Sequence, residues 1–144
     1  MNDFATNGAA VAQAIDRLMI AEVYNRYALA LDEQDLAMLA EVFADDVKFK
    51  CGIPGVPYRE GIKANQDRLV ERHRQRRFRE RHLTTHPVIR TLDEGRAQVS
   101  AEVVIISSDD GAAPHIEAMG RYDDVLEKRG GRWVFVERAF VPDT

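Results

Sequence analysis

The chain has a single cysteine, Cys51, so it cannot form an internal disulfide and holds no paired-cysteine metal ligands. No apolar run approaches the roughly 20 residues that a membrane-spanning helix needs. The opening "MNDFATNGAAVAQA" has neither the basic patch nor the apolar segment of a secretion signal, so the expected compartment is the cytoplasm. Neither GxGxxG nor a P-loop occurs, so nothing calls for a nucleotide or flavin. Excess positive charge is lacking as well. With a net charge of −4, the chain as a whole has no pull toward nucleic acid or an anionic membrane. Internal repeats and low-complexity segments are absent.

What remains describes a folded domain. Hydrophobic residues make up 45% and charged residues 31% of the 144 positions, a balance that suits one globular unit with a real core. The expected division is a flexible N-terminus over 1–13 and a single domain over 14–144. From Ala14 to Leu31, apolar residues including Ile20, Val23, Tyr24, Tyr27 and Leu31 recur at helical spacing. Asp35 is placed to cap a second helix whose stripe is Leu36, Leu39, Ala40 and Phe43. "DDVKFKC" alternates as a short strand, and "GIPGVPYREG" is a loop by its glycines and prolines. "IKANQDRLVERHRQRRFRE" reads as a third helix.

The period then changes. "RAQVSAEVVIISS" places Ala97, Val99, Ala101, Val103 and Ile105 on one face. "HIEAMGRYDDVLEK" alternates again, "RGGR" reads as a tight hairpin, and "WVFVERAFV" as the last strand. Helices first and antiparallel strands later define an α+β fold. A sheet wrapped over a few helices encloses a pocket suited to a small molecule. Both faces of "SAEVVIIS" carry apolar residues, so the outer face is expected to join a second copy.

Two histidines, His82 and His86, sit between the helical and the alternating halves. On an extended strand they share a face but stand about 13 Å apart, and the HExxH glutamate is missing, so metal binding is not indicated. Pro87 suggests a strand edge at which His86 is re-aimed. His82, at the helix-to-strand join, reads as a surface or supporting residue. By residue type alone, Asp32 is a helix-end aspartate bonded to local backbone. The run "RLVERHRQRRFRERH" holds seven arginines. Only Phe78 interrupts it as an aromatic, so it reads as a solvated or subunit-facing surface, with some arginines at the pocket entrance drawing in anions.

"AIDRLMIAEVYNRYALALDEQDLAMLAEVFADDVKF" resembles the opening of the SnoaL-like branch of the NTF2-like superfamily. "TTHPVI" and "GRYDDVLEKRGGRWVFVER" resemble its later strands. The resemblance runs from about Ile15 to Arg138 by the period of its elements. It implies the NTF2-like cone, a curved antiparallel sheet over N-terminal helices with an internal pocket. That superfamily includes scytalone dehydratase and bile-acid dehydratase, ketosteroid isomerase, polyketide cyclases and the non-catalytic small subunits of ring-hydroxylating dioxygenases. The fold therefore does not name the reaction.

In the dehydratase-like members an aspartate at the end of the first helix faces a strand histidine. The resemblance places these at Asp32 and His86, with Tyr27 as a hydrogen-bond donor to substrate. Tyr24, Tyr122 and Arg138 are further candidate substrate-binding residues, joined by Tyr58, which its Gly/Pro loop could bring to the pocket mouth, and His115, which could reach the same face. The chain departs from the scytalone dehydratase pattern where the second histidine falls on Glu117 or Met119, and a second phenol falls on Cys51. The implied activity is a cofactor-independent, dehydratase-like lyase. Its substrate would be a cyclic or aromatic oxygenated small molecule, and an Asp–His acid/base pair would act on it. An isomerase or cyclase using the same pocket, or a non-catalytic assembly subunit, are the alternatives. The expected partners are a small-molecule substrate and further copies of the chain, as a dimer or trimer. No metal, cofactor, nucleic acid or membrane is expected.

Overall fold

The computed structural model describes residues 3–75 and 78–143. Helix α1 spans Asp3–Glu33, α2 Leu36–Val42 and α3 Ile62–Gln75. The strands are β1 Phe43–Cys51, β2 Arg59–Glu60, β3 Phe78–Thr84, β4 Val88–Leu92, β5 Arg96–Asp109, β6 His115–Arg129 and β7 Arg132–Pro142. They form one sheet in the order β2-β1-β7-β6-β5-β3, with β4 also paired to β5. The three long strands from Arg96 onward are antiparallel neighbours, as alternation predicts. The sheet is nevertheless mixed, because β1 runs parallel to β7. Parallel neighbours need a long crossover, and here the whole intervening chain supplies it.

Helix α1 begins well before Ala14, where its apolar period starts. Residues 7–15 are exposed throughout, so this first stretch is helical without packing on the core. From Ile20 onward the helix buries Ile20, Tyr24, Tyr27 and Ala30 against the sheet. The inward residues of β5 are the alternating set from Ala97 to Ile105, all at 5% exposure or less. Together they make one core on the helical side of the sheet.

The "LDEQD" corner has a clear local cause. Gln34 takes the left-handed backbone at φ 58°, which ends α1. The Asp35 carboxylate then accepts the Met38 N–H at 2.9 Å and caps α2. At the other end of the fold, Gly130 and Gly131 have φ of 58° and 78°. Two consecutive positive values make the tight turn that the "RGGR" segment predicts between β6 and β7.

Asp16 fastens α1 to that hairpin. Its carboxylate accepts Trp133 Nε1–H at 2.8 Å and Lys128 Nζ at 2.9 Å. Burial raises the pKa of such a carboxyl, but the Trp133 and Lys128 donors outweigh burial and hold it below its ordinary 3.8. Asp16→Ala leaves the Trp133 N–H buried without a partner and is expected to lower stability by about 1–3 kcal/mol. Because the folded value is depressed, the contribution of Asp16 is present above pH 3.8 and fades as pH falls below it. Urea denaturation of both proteins at pH 7 and pH 3 checks this, since the gap between them should narrow at the lower pH.

The boundary between α3 and β3 lies several residues earlier than the arginine-rich composition suggests. The helix stops at Gln75 and the strand is established by Phe78. Residues 85–87 then break the edge strand, so that β3 and β4 pair with different halves of β5. This shift decides which histidine faces the interior.

Candidate active site

A cavity of about 90 Å³ lies between the sheet and the helices. Tyr27 from α1 and Tyr122 from β6 line its deep part, with Phe43, Phe49 and Phe140 giving apolar walls. Glu80 and His82 reach it from β3, Arg59 from β2, and Asn65, Arg68 and Arg72 from α3. Cys51, at the end of β1, also lines it.

The structure brings Asp32 to a histidine, and that histidine is His82. Its Nδ1 lies 2.7 Å from Asp32 Oδ1, and its backbone N–H donates to both carboxylate oxygens at 3.1 Å. Both side chains are almost fully buried, at 5% and 8% exposure. An ionised carboxylate only accepts, so Nδ1 carries the proton and Nε2 is the nitrogen left free to act. Nε2 sits 4.0 Å from Glu80 Oε2. Glu80 in turn accepts both contacts of Arg72 Nη2, at 2.7 and 3.0 Å. A buried imidazole thus lies between two carboxylates.

His86 is not part of this arrangement. It is exposed in the loop after β3, because the strand ends at Thr84 and the following Pro87 cannot extend the ladder. His82, expected near the surface, takes the inward position opposite Ile105 of β5.

Tyr27 is where the helical period puts it, at 4% exposure and in the cavity lining. Burial raises its phenol pKa, so the group stays protonated and can donate a hydrogen bond. Tyr122 lines the cavity too, and burial raises its phenol in the same way.

The other expected binding residues lie elsewhere. Tyr24 is buried below the cavity, and its hydroxyl donates to Asp124 Oδ2 at 2.5 Å. Tyr58 is exposed and bonds to Glu60, because its loop turns outward at β2. His115 is exposed at the start of β6, beside Glu117.

Arg138 does not reach the cavity or the sheet surface. It is 1% exposed, with its guanidinium carbon 3.6 Å from the Tyr122 ring centre and 4.0 Å from that of Tyr27. Its charge partner is Asp124, at 3.3 Å. Arg138 therefore supports the aromatic floor from below. Alternation holds the signal for this pair, because Asp124 is in phase with inward-facing Tyr122 and Leu126.

The arginine run divides by side. Arg68 and Arg72 line the cavity, Arg74, Arg79 and Arg81 are exposed, and Arg76 and Arg77 lie outside the described residues. His73 is tied to the Leu31 carbonyl through Nε2 at 2.9 Å. Among the described residues, no group of three His, Cys, Asp or Glu side chains is placed to hold a metal ion. No helix is long and apolar enough to cross a membrane among those residues.

A sheet folded over three helices, with a buried Asp–His pair beside an internal cavity, defines a fold of the NTF2-like type. The model of the SnoaL-like domain matches residues 12–139, and the chain belongs to that family. A protein of unknown function from Mycobacterium tuberculosis is similar in structure. The two share 27% identity with a TM-score of 0.81, over 91% of this chain and 73% of that one. A candidate scytalone dehydratase from Novosphingobium aromaticivorans superposes with a TM-score of 0.80 at 21% identity, over 94% of this chain and 89% of that one. The β subunit of a candidate aromatic-ring-hydroxylating dioxygenase from the same organism gives 0.78 at 24% identity, over 93% and 92%. No curated protein matches the sequence.

Proposed function

We propose that the chain is a cofactor-independent lyase of the dehydratase type, acting on a compact, oxygenated ring molecule with His82 as its acid/base group. The observation that carries this reading is the contact of Asp32 with His82, a residue of the cavity lining; it fixes the tautomer and leaves Nε2 as the nitrogen that can take a proton. His82 Nε2 takes a proton from a carbon next to a carbonyl, and the C–H electron pair moves onto the carbonyl as an enolate. The Tyr27 hydroxyl donates to that developing oxyanion. The enolate then collapses. A carbon–carbon double bond forms, the bond to the neighbouring hydroxyl breaks, and the departing oxygen takes the proton back from His82 and leaves as water. One proton is borrowed and returned, so no outside reagent is consumed.

The similarity to a candidate scytalone dehydratase is in keeping with this chemistry. The similarity to a dioxygenase β subunit suggests a non-catalytic assembly role instead. The open cavity with its buried pair favours the enzyme. The direct test is a screen of oxygenated aromatics, terpenoids and steroids for loss of one water by mass spectrometry. A product formed by the parent protein and not by His82→Ala supports the reading, and equal turnover by both removes it.

The same reading includes self-association. On the face away from the helices, Leu83 of β3 pairs with Val104, which pairs with Met119, and Ile106 pairs with Ile116. Leu83, Met119, Ile116 and Val141 are 44–60% exposed, a continuous apolar strip across the sheet. A homodimer through this face is expected in sedimentation equilibrium at micromolar concentration, and Met119→Glu should convert it to monomer.

A further inference from the structure

Three guanidinium groups face the cavity, those of Arg59, Arg68 and Arg72. Arg72 is matched by Glu80. Asp32, the other carboxylate beside the cavity, is committed to His82. Among the described residues Arg59 bonds only to neutral oxygens, with its Nε donating to Asn65 Oδ1 at 3.0 Å and its Nη1 to the Pro57 carbonyl at 3.2 Å. Its guanidinium also stacks 4.4 Å from the Phe49 ring centre, so it is held in place without a counter-charge. Burial, with repulsion from Arg68 and Arg72 added, lowers the Arg59 pKa from its ordinary value. Arg68 is half-buried in the lining and has no hydrogen bond or ion pair among the described residues. In a chain of net charge −4, one wall of the cavity therefore carries two cations that no carboxylate pairs with among the described residues.

We propose that Arg59 and Arg68 form a carboxylate-binding site, and that the ligand of this cavity is an apolar ring compound bearing one carboxylate. Two features point to this class. The apolar walls of Phe43, Phe49, Leu69 and Phe140 suit a hydrocarbon body. The cations lie together on one wall, formed by β2 and α3, so they meet one end of a ligand and not several points along it. A planar guanidinium fixed by stacking presents its remaining N–H groups to a carboxylate in a matching plane. Arg68, with no partner of its own among the described residues, closes on the second oxygen. The proposal deepens the lyase reading by naming its substrate class.

Calorimetric titration with benzoate and 2-naphthoate, each against its neutral amide, tests the site without knowledge of the substrate. The parent protein should bind at least one carboxylate about 10- to 100-fold more tightly than the matching amide, the range set by a charge-assisted bond. Arg68→Gln should abolish most of that preference and Arg68→Lys should retain part of it. Arg74→Gln, on the solvent side of the same helix, should leave it unchanged. Equal affinity for acid and amide, no binding of any of the four probes, or a preference that survives Arg68→Gln would overturn the proposal. His82→Ala separates the two ideas. If it keeps the carboxylate preference but turns over an identified substrate at the parent rate, the lyase reading falls and the anion site stands. Loss of turnover with no carboxylate preference in the parent protein gives the reverse.

Discussion

His82→Ala is expected to lower turnover by about 10²–10⁴-fold with the fold intact, the usual effect of removing a residue in the general-base role proposed for it. Among the described residues, the imidazole is the only ring in the cavity lining able both to accept a proton from carbon and to return it to oxygen, so no described neighbour takes over its role. Loss of the side chain also releases Asp32, which then keeps only the backbone N–H of residue 82 as a donor from β3. That retained bond is why the helix end stays docked and why the variant should give the parent circular dichroism spectrum. Asp32→Asn is the sharper companion. The amide keeps the shape but can turn its NH₂ toward Nδ1, which then must accept, and the proton moves to Nε2 where a base is needed. Most of the rate should disappear while ligand affinity is kept. A fall in affinity equal to the fall in rate would show that the pair only shapes the cavity.

Which parts of this arrangement are legible in the sequence follows from where hydrophobic periodicity is an honest signal. In α1 and the three long strands, most inward residues are apolar, so Tyr27, Tyr122 and the β5 ladder fall where the pattern puts them. Strand β3 inverts that relation. Glu80 and His82 face the interior while Leu83, Arg79 and Arg81 face out, so hydrophobic alternation assigns the wrong face. Arginine, glutamate and glutamine also favour helices, which extends the apparent third helix into β3 and moves the histidine register with it. The strand is polar inside because it lines the site, and a functional strand is where local and global preferences are expected to disagree. Asp35 as the α2 cap and the "RGGR" turn depend only on neighbours in the chain, and both are found as predicted. The parallel β1–β7 pairing joins segments about ninety residues apart, and no local pattern encodes it.

Asp124→Ala is expected to be the most damaging single change to the fold. Asp124 and Arg138 are both completely buried, 3.3 Å apart, and the Tyr24 hydroxyl gives the carboxylate a second, 2.5 Å contact. Burial pushes the Asp124 carboxyl up to about 6, against the opposing pull of Arg138, Tyr24 and the Ala139 N–H, so at neutral pH it is ionised and answers the Arg138 charge. Removing it strands a guanidinium among four aromatic rings, where the faces of Tyr27, Tyr122, Tyr24 and Phe135 supply attraction but no counter-charge. Breaking a buried pair by removing one partner costs about 3–5 kcal/mol, a large share of the 5–15 kcal/mol that stabilises a typical domain. The double variant Asp124→Ala/Arg138→Met removes both charges and fills part of the space with a flexible apolar chain. It should regain most of the lost stability, because buried pairs exchanged for apolar residues are often neutral. Urea denaturation of the parent, the two single variants and the double gives the coupling between the residues directly. A coupling below about 0.5 kcal/mol, the level found for independent sites, would mean that the aromatic floor holds Arg138 without Asp124. The same variants report on the cavity above. Arg138 lies against the rings of Tyr27 and Tyr122 from below, so loss of the pair should loosen both phenols and weaken ligand binding even at temperatures where the domain stays folded.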